Sequence, residues 1–341
     1  QKTDRVSNVE LKVIQGGALS SNKGVNLPNT EVSLPALTEK DVKDAMFAIE
    51  QQVDWFALSF VRNKEDLLAL KKLIKKYSSF DIPIISKIEK PQALENIDEI
   101  IDHSNGLMVA RGDLGVEVPA EGVPLIQKNL VLKAKAARIP VIIATQMMES
   151  MIEASVTTRA EVNDVANAEM DGADAVMLSA ETSVGAYPVE AVTAMTDIIE
   201  SMEGQDRMYY HERPPLSPED DRFISDSMCY NACRVAKRGY ASAIVSLTVS
   251  VYTAVLVSSQ RPKAHIFMFT ANKRVLAQMS LVWGVSAFPY LKMVSTDHTI
   301  ADIKFELTKM GAVTDGDFVV HLASMPIADA GRTNMLKLSQ V

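Results

Sequence analysis

Ile84-Ile85-Ser86-Lys87-Ile88-Glu89 is an apolar run that ends on a cation and an anion. On a strand, residues two apart share a face, so Lys87 and Glu89 point one way and Ile88 the other. An ammonium and a carboxylate at the tip of an otherwise buried strand suggest a site that handles metal and phosphate together.

The same rhythm repeats on both sides of this run. Apolar strands are predicted at Val53–Phe60, Ile82–Glu89, Leu107–Ala110, Val141–Thr145 and Ala175–Ser179. Between and after them lie helical patterns: one opened by Asn63 with Leu67, Leu70, Ile74 and Tyr77 on one side, then Gln92–Ser104, Pro124–Ala137, Arg159–Met170 and Tyr187–Glu203. A further helix starts at Thr38, where Asp41 completes a capping box. Strands this continuously apolar are buried on both faces, the mark of a parallel α/β layout.

Met202-Glu203-Gly204 and His211–Pro218 read as a linker. Beyond it come a helix over Asp221–Lys237 and a second α/β series. Its strands are expected at Ala243–Leu247, His265–Phe269, Ala287–Leu291, Phe318–Leu322 and Met335–Leu338, forming an open sheet. Before Thr38, residues 1–36 read as strand and turn (Val9–Val13, Gly16-Gly17, Lys23–Pro28), too little to close a core alone. The expected division is therefore 1–36, 37–210 and 211–341.

Composition removes several function classes. The formal net charge is −8 with the acids scattered, which argues against a nucleic-acid binder but leaves room for local phosphate sites. No run is long and pure enough to span a membrane, and Gln1–Arg5 is not followed by the apolar stretch of a signal peptide. Cys229 and Cys233, at helical spacing without a histidine partner, read as packing residues rather than a zinc site or disulfide. A reducing, cytoplasmic setting is expected. The five histidines are scattered over the chain and take no catalytic role, and Met147, Met148 and Met151 read as packing near the site.

In a barrel, function gathers at the carboxyl ends of the strands. Here those ends are Ser59-Phe60, Lys87-Ile88-Glu89, Arg111-Gly112-Asp113, Thr145-Gln146 and Ser179-Ala180-Glu181, each polar after an apolar strand. Glu89 and Asp113 are one βα unit apart, and neighbouring strands sit about 4.8 Å apart, so the two carboxylates can share an ion. Two carboxylates with room for water and substrate oxygens suit Mg²⁺ or Mn²⁺. Gly112 lets backbone N–H groups approach an anion, and Lys87 supplies a point charge for phosphoryl transfer. The competing reading is a structural network in which Lys87 and Arg111 neutralise the two acids.

At this point the residues become specific. Ile-Ile-Ser-Lys-Ile-Glu-Lys at 84–90 and Met-Val-Ala-Arg-Gly-Asp-Leu-Gly-Val-Glu at 108–117 closely resemble the pyruvate kinase family. So do Ala-Thr-Gln-Met-Met-Glu-Ser-Met at 144–151, Thr-Arg-Ala-Glu-Val-Asn-Asp-Val-Ala-Asn-Ala at 158–168 and Asp-Gly-Ala-Asp-Ala-Val-Met-Leu-Ser-Ala-Glu-Thr at 171–182. The resemblance covers essentially the whole chain. It implies a (β/α)8 TIM-type barrel of which strands four to eight are present, a C-terminal open-sheet α/β domain at 211–341, and 1–36 as the end of an inserted B domain.

The resemblance also implies the chemistry: phosphoenolpyruvate and ADP give pyruvate and ATP, a step of glycolysis, in a homotetramer. Glu89 and Asp113 would hold Mg²⁺ or Mn²⁺, and Lys87 would stabilise the phosphoryl group in flight. The backbone of Gly112 and Asp113, with the Thr145 hydroxyl, would grip the substrate carboxylate. Thr145 and Ser179 lie where the family protonates the enolate, and Ser59 would line the pocket. Arg159 and Glu161 begin a helix that in the family lies at a subunit interface; the alternative for them is an exposed helix-start ion pair.

Three departures bear on this transfer. The family's phosphate and monovalent-cation (K⁺) ligands on the first three strands have no counterpart here, which admits an inactive or regulatory fragment. Ala180 stands where the family has glycine before Glu181. After the first C-terminal strand, Leu247–Thr253 offers hydroxyls without the glycine and basic residue of a sugar-phosphate loop. Thr248, Ser250 and Thr253 could take a phosphate-sized anion, but fructose bisphosphate is expected to leave the substrate dependence unchanged. A second enzyme reading, a metal-dependent pyruvate aldolase, shares the Glu and Asp at strand ends but needs neither Lys87 nor this C-terminal domain.

Overall fold

The computed structural model describes residues 2–3, 9–14, 16–17, 21, 35, 37–215, 217–247, 251–292, 295–325 and 331–341. In the first stretch β1 (Lys2–Thr3) pairs antiparallel with β2 (Val9–Glu10); the Lys23–Pro28 turn lies outside the described residues.

From Thr38 the chain alternates helix and strand. α1 (Glu39–Glu50) starts on a complete capping box: the Thr38 hydroxyl accepts from the Asp41 N–H, and the Asp41 carboxylate accepts from the Thr38 N–H. Next come β3 (Phe56–Leu58), α2 (Lys64–Tyr77) and β4 (Ile84–Ile88). The helix expected over 92–104 is two, α3 (Pro91–Glu95) and α4 (Ile97–His103), broken at Asn96. Asn96 Nδ2 donates to the carbonyl of Arg62 at 3.0 Å, a tie to the loop before α2 made at the break itself. β5 (Gly106–Ala110) runs directly into α5 (Arg111–Glu117), and α6 (Val123–Ala137), β6 (Val141–Ala144), α7 (Arg159–Asp171), β7 (Ala175–Met177), α8 (Ala180–Ser183) and α9 (Pro188–Glu203) follow.

These five strands are parallel and neighbour one another in chain order, β3-β4-β5-β6-β7. That is the winding of a barrel wall, in contrast to a doubly wound sheet, whose order reverses. β4, β5 and β6 are buried almost throughout, whereas β3 and β7 are only partly covered, as edges must be. Ile84 and Ile88 pack outward against the helical layer with Leu67, Ile100 and Leu130. Ile85 belongs to the opposite face with Met108, Ile142 and Ala144. Lys87 and Glu89 share Ile85's parity, so the strand's own alternation aims both toward the barrel's interior side.

The C-terminal series is α10 (Phe223–Gly239), β8 (Ala243–Leu247), α11 (Tyr252–Ser259), β9 (His265–Thr270), α12 (Lys273–Gln278), β10 (Val285–Pro289), α13 (Thr296–Lys309), β11 (Phe318–Ala323) and β12 (Met335–Gln340). Its order is β10-β9-β8-β11-β12, with β12 alone antiparallel. The strand expected at 287–291 starts earlier because its register is set by β9, Val285 pairing with Ile266 and Pro289 with Thr270. Cys229 and Cys233 are free and buried on α10, as packing residues should be. Burial pushes the Cys233 thiol up to about 12, so it stays protonated.

The two sheets are latched to each other by polar contacts. Arg138, the left-handed cap of α6, pairs with Asp226 of α10 and donates to the Tyr252 hydroxyl at the start of α11. Tyr252 donates in turn to Asp226 at 2.5 Å.

Candidate active site

Lys87 is the last residue but one of β4, and the other site residues expected at strand ends lie just past their strands. Lys87 and Ser59 meet at the mouth of β4 and β3: Lys87 Nζ donates to Ser59 Oγ at 3.1 Å. Glu89, one residue beyond β4, is 1% exposed. Its Oε2 accepts the Phe60 N–H at 2.6 Å, a donor aimed by the left-handed backbone of Phe60 (φ 53°). Its Oε1 lies 2.8 Å from Lys87 Nζ, yet accepts no hydrogen bond among the described residues. A buried carboxylate oxygen with an ion-pair partner but no aligned donor retains lone pairs for another ligand.

At the next strand end the helix begins at once. Asp113 sits in the first turn of α5, exposed, with no hydrogen bond or ion pair among the described residues. Gly112 faces Thr145 so closely that a Cβ there would come within 2.6 Å of Thr145 Cγ2 and 3.6 Å of its Oγ1. This close approach is what requires glycine.

Thr145, the residue after β6, has φ 73°, and Gln146 has φ 56°. Left-handed backbone is a genuine outlier for a β-branched residue and is held only where its surroundings enforce it. Arg111, the first residue of α5, reaches across: Nη2 donates to the Thr145 carbonyl at 2.7 Å, and Nη1 to Asp164 Oδ1 of α7 at 2.7 Å. Arg111 therefore pairs with Asp164 and, among the described residues, with neither Glu89 nor Asp113. Half of the competing structural-network reading is removed by that geometry.

At β7, Ser179 is exposed and its N–H donates to Glu181 Oε2 at 2.7 Å. Glu181 is buried, and Oε1 accepts from the Met148 N–H at 3.3 Å, so this acid ties two strand ends together. Met147, Met148 and Met151 are buried in the core. Glu161 takes the N–H and hydroxyl of Ser150 at 2.7 and 2.6 Å and completes a capping box with Thr158. Burial alone would raise its pKa, but these hydrogen bonds from Ser150 and Thr158 outweigh it and hold the carboxyl at about 2. Glu161 is thus bound by hydroxyls and amides, while Arg159 is exposed beside it.

In the C-terminal domain, Thr253 Oγ1 and Thr333 Oγ1 are hydrogen-bonded at 2.8 Å, both buried. They lie where the order of the sheet reverses between β8 and β11, the usual position of a ligand crevice in such sheets. Thr248 and Ser250 lie outside the described residues.

Sequence reasoning missed α5, the left-handed pair at 145–146 and the brace from Arg111. The one available signal was Gly112 itself, whose missing side chain marks a close neighbour. For a metal, the donor set is suitable: Glu89 Oε1 and the free Asp113 carboxylate, on adjacent strand ends, are hard oxygen ligands of the kind Mg²⁺ accepts while keeping water. No group of three or more acidic, histidine or cysteine ligands occurs among the described residues.

Parallel strands in chain order, with a cation–carboxylate pair and a strained threonine at their carboxyl ends, define the class: part of a (β/α)8-barrel enzyme. The family models for the pyruvate kinase barrel domain and the pyruvate kinase alpha/beta domain match residues 1–192 and 226–339. A pyruvate kinase of Clostridium acetobutylicum is 41% identical over 98% of this chain and 71% of its own length. One of Geobacillus stearothermophilus is 43% identical over 98% of this chain and 57% of its own length. A crystal structure of a pyruvate kinase from Cryptosporidium parvum superposes with a TM-score of 0.85 at 33% identity, covering 92% of this chain and 64% of that one. The chain belongs to the pyruvate kinase family, and spans little more than half the length of several of its curated relatives.

Proposed function

We propose that this chain transfers the phosphoryl group of phosphoenolpyruvate to ADP. The P–O bond to the enol oxygen breaks, a new P–O bond forms to the terminal ADP oxygen, and the enolate takes a proton at its methylene carbon to give pyruvate. The observation that carries the reading is the buried Glu89 Oε1, 2.8 Å from Lys87 Nζ and without an aligned donor. Glu89 and Asp113 would hold Mg²⁺ or Mn²⁺, which when bound would supply positive charge to offset that of the anionic substrate. Lys87 would offset charge on the phosphoryl oxygens in transfer. The N–H groups of Gly112 and Asp113 and the Thr145 hydroxyl would grip the carboxylate. Ser59 would line the pocket, and Ser179 with Thr145 would pass the proton through water.

In this reading residues 37–210 carry the reacting half of the site, 211–341 a regulatory domain and 1–36 the end of an inserted one. Exposed Val156, Val162, Val184, Val189 and Val192, on and beside α7 and α9, support burial of this face, with Arg159 and Glu161, in a homotetramer. No helix among the described residues is long and apolar enough to cross a membrane, consistent with a cytoplasmic enzyme.

A coupled assay with phosphoenolpyruvate, ADP and Mg²⁺ tests the reading. Pyruvate should form, and Lys87→Ala should lower kcat by a factor on the order of a thousand. Equal rates for the folded variant and the parent chain would refute it.

A further inference from the structure

We propose that Arg111 is the positioning residue of the carboxylate grip: its guanidinium holds Thr145 and Gln146 in the left-handed backbone that sets the threonine hydroxyl beside Gly112. The purpose assigned to the brace rests on the function proposed above; the brace itself does not.

The argument begins with a conformation that needs a cause. Thr145 at φ 73° and Gln146 at φ 56° are consecutive side-chain-bearing residues in a region that such residues rarely occupy. No glycine relieves either position. Both carbonyls are turned to the same side, and both are met there by one group. Nη2 of Arg111 donates to the Thr145 oxygen at 2.7 Å and to the Gln146 oxygen at 3.3 Å, and Nε approaches the Thr145 oxygen at 3.3 Å.

The far edge of the guanidinium is fixed in its turn. Nη1 donates to Asp164 of α7 at 2.7 Å and to Gln127 of α6 at 3.4 Å. One planar fork therefore joins the end of β5, two helices and the turn after β6. A lysine, a point charge on a flexible stem, cannot address both edges at once. Thr145 Oγ1 makes no hydrogen bond among the described residues and lies 3.6 Å from the position of a Gly112 Cβ, so the turn delivers it free beside Gly112. Arg111 acts on substrate only through that turn.

The test combines a backbone readout with a kinetic one. In Arg111→Lys and Arg111→Gln, amide hydrogen exchange at 145–147 should quicken on the order of tenfold while β4 amides are unchanged. The KM for phosphoenolpyruvate should rise on the order of tenfold with the KM for ADP nearly constant. Asp164→Asn, which leaves the arginine in place but loosens it, should shift both readouts the same way by less, and supplies a folded variant if the arginine replacements do not fold. Unchanged exchange at 145–147 in any folded Arg111 variant overturns the proposal. Faster exchange in a chain whose parent shows no phosphoryl transfer would uphold the brace and reject the function it is said to serve.

Discussion

Arg261, in the turn after α11, donates from Nη2 to the carbonyl oxygen of Gly172 at 2.5 Å, so a residue of the C-terminal domain closes the end of the barrel helix α7. The same nitrogen reaches Ala173 O at 2.7 Å, and Nη1 lies 3.4 Å from Asp174 Oδ1. Gly172 caps α7 at φ 98°, and its carbonyl is shared between Arg261 and Lys135 Nζ, which donates to it at 3.1 Å. The guanidinium is 2% exposed and stacks 4.4 Å from the Trp283 ring. Replacing it by leucine should cost about 3–5 kcal/mol, because the largely buried Asp174 side chain loses its guanidinium partner and the Ala173 and Gly172 carbonyls each lose a donor. Lys135 still reaches Gly172, and backbone N–H groups still reach Asp174. Calorimetry should show a lower Tm, with the single transition splitting in two.

The same joint makes stability depend on pH. Burial raises the Glu169 carboxyl to about 7, with Arg261 and Lys135 opposing and Glu203 and Asp174 reinforcing. Burial likewise lowers the Lys135 ammonium to about 7, helped by Arg261 and Arg213 and opposed by Asp174 and Glu169. Between the ordinary value of 4.5 and about 7, folded Glu169 keeps a proton that the unfolded chain has released, so stability falls as pH rises. Between about 7 and 10.5 the unfolded chain binds a proton that folded Lys135 lacks, so stability rises. Denaturation midpoints at about pH 5, 7 and 9 should dip in the middle. Glu169→Gln should flatten the falling limb and Lys135→Met the rising one.

Gly112 and Thr145 form a steric pair that can be titrated by single methyl groups. Gly112→Ala should cost about 1–3 kcal/mol as its Cβ drives against Thr145 Cγ2. It should also raise the KM for phosphoenolpyruvate. Thr145→Ser removes that methyl and keeps the hydroxyl, so the double variant should regain most of the stability lost by the first. Additive losses in thermal melts would count against the contact.

Glu161 predicts an acid limb of its own. Its folded carboxyl titrates at about 2, below the ordinary 4.5, so the stability it contributes is complete above 4.5 and lost as pH falls toward 2. Glu161→Gln should be less stable than the parent near neutrality and show a shallower decline across that window, followed by far-UV circular dichroism.

Much of this was written in the chain. Near-continuous apolar runs located β4 through β7, and the parity of Lys87 and Glu89 gave their common face. What could not be read were features set by neighbours rather than by local pattern. The β10 strand begins at Val285 because Ile266 beside it fixes the ladder. Asp113 enters a helix because α5 starts directly after β5, and its cap position, Ala110, has no side chain that could signal a helix start. Nothing local marks Thr145 as left-handed, since threonine disfavours that region; the cause is an arginine many residues upstream.

That dependence fixes an order of events in folding. Thr145 and Gln146 can be held in their strained backbone only after β5 and β6 are paired and α6 and α7 have docked to orient Arg111. The threonine hydroxyl is then among the last groups to find its place. A refolding chain should recover its helical signal and its buried core while the mouth of the barrel is still unformed, so that ligand recognition arrives as a late and separable phase.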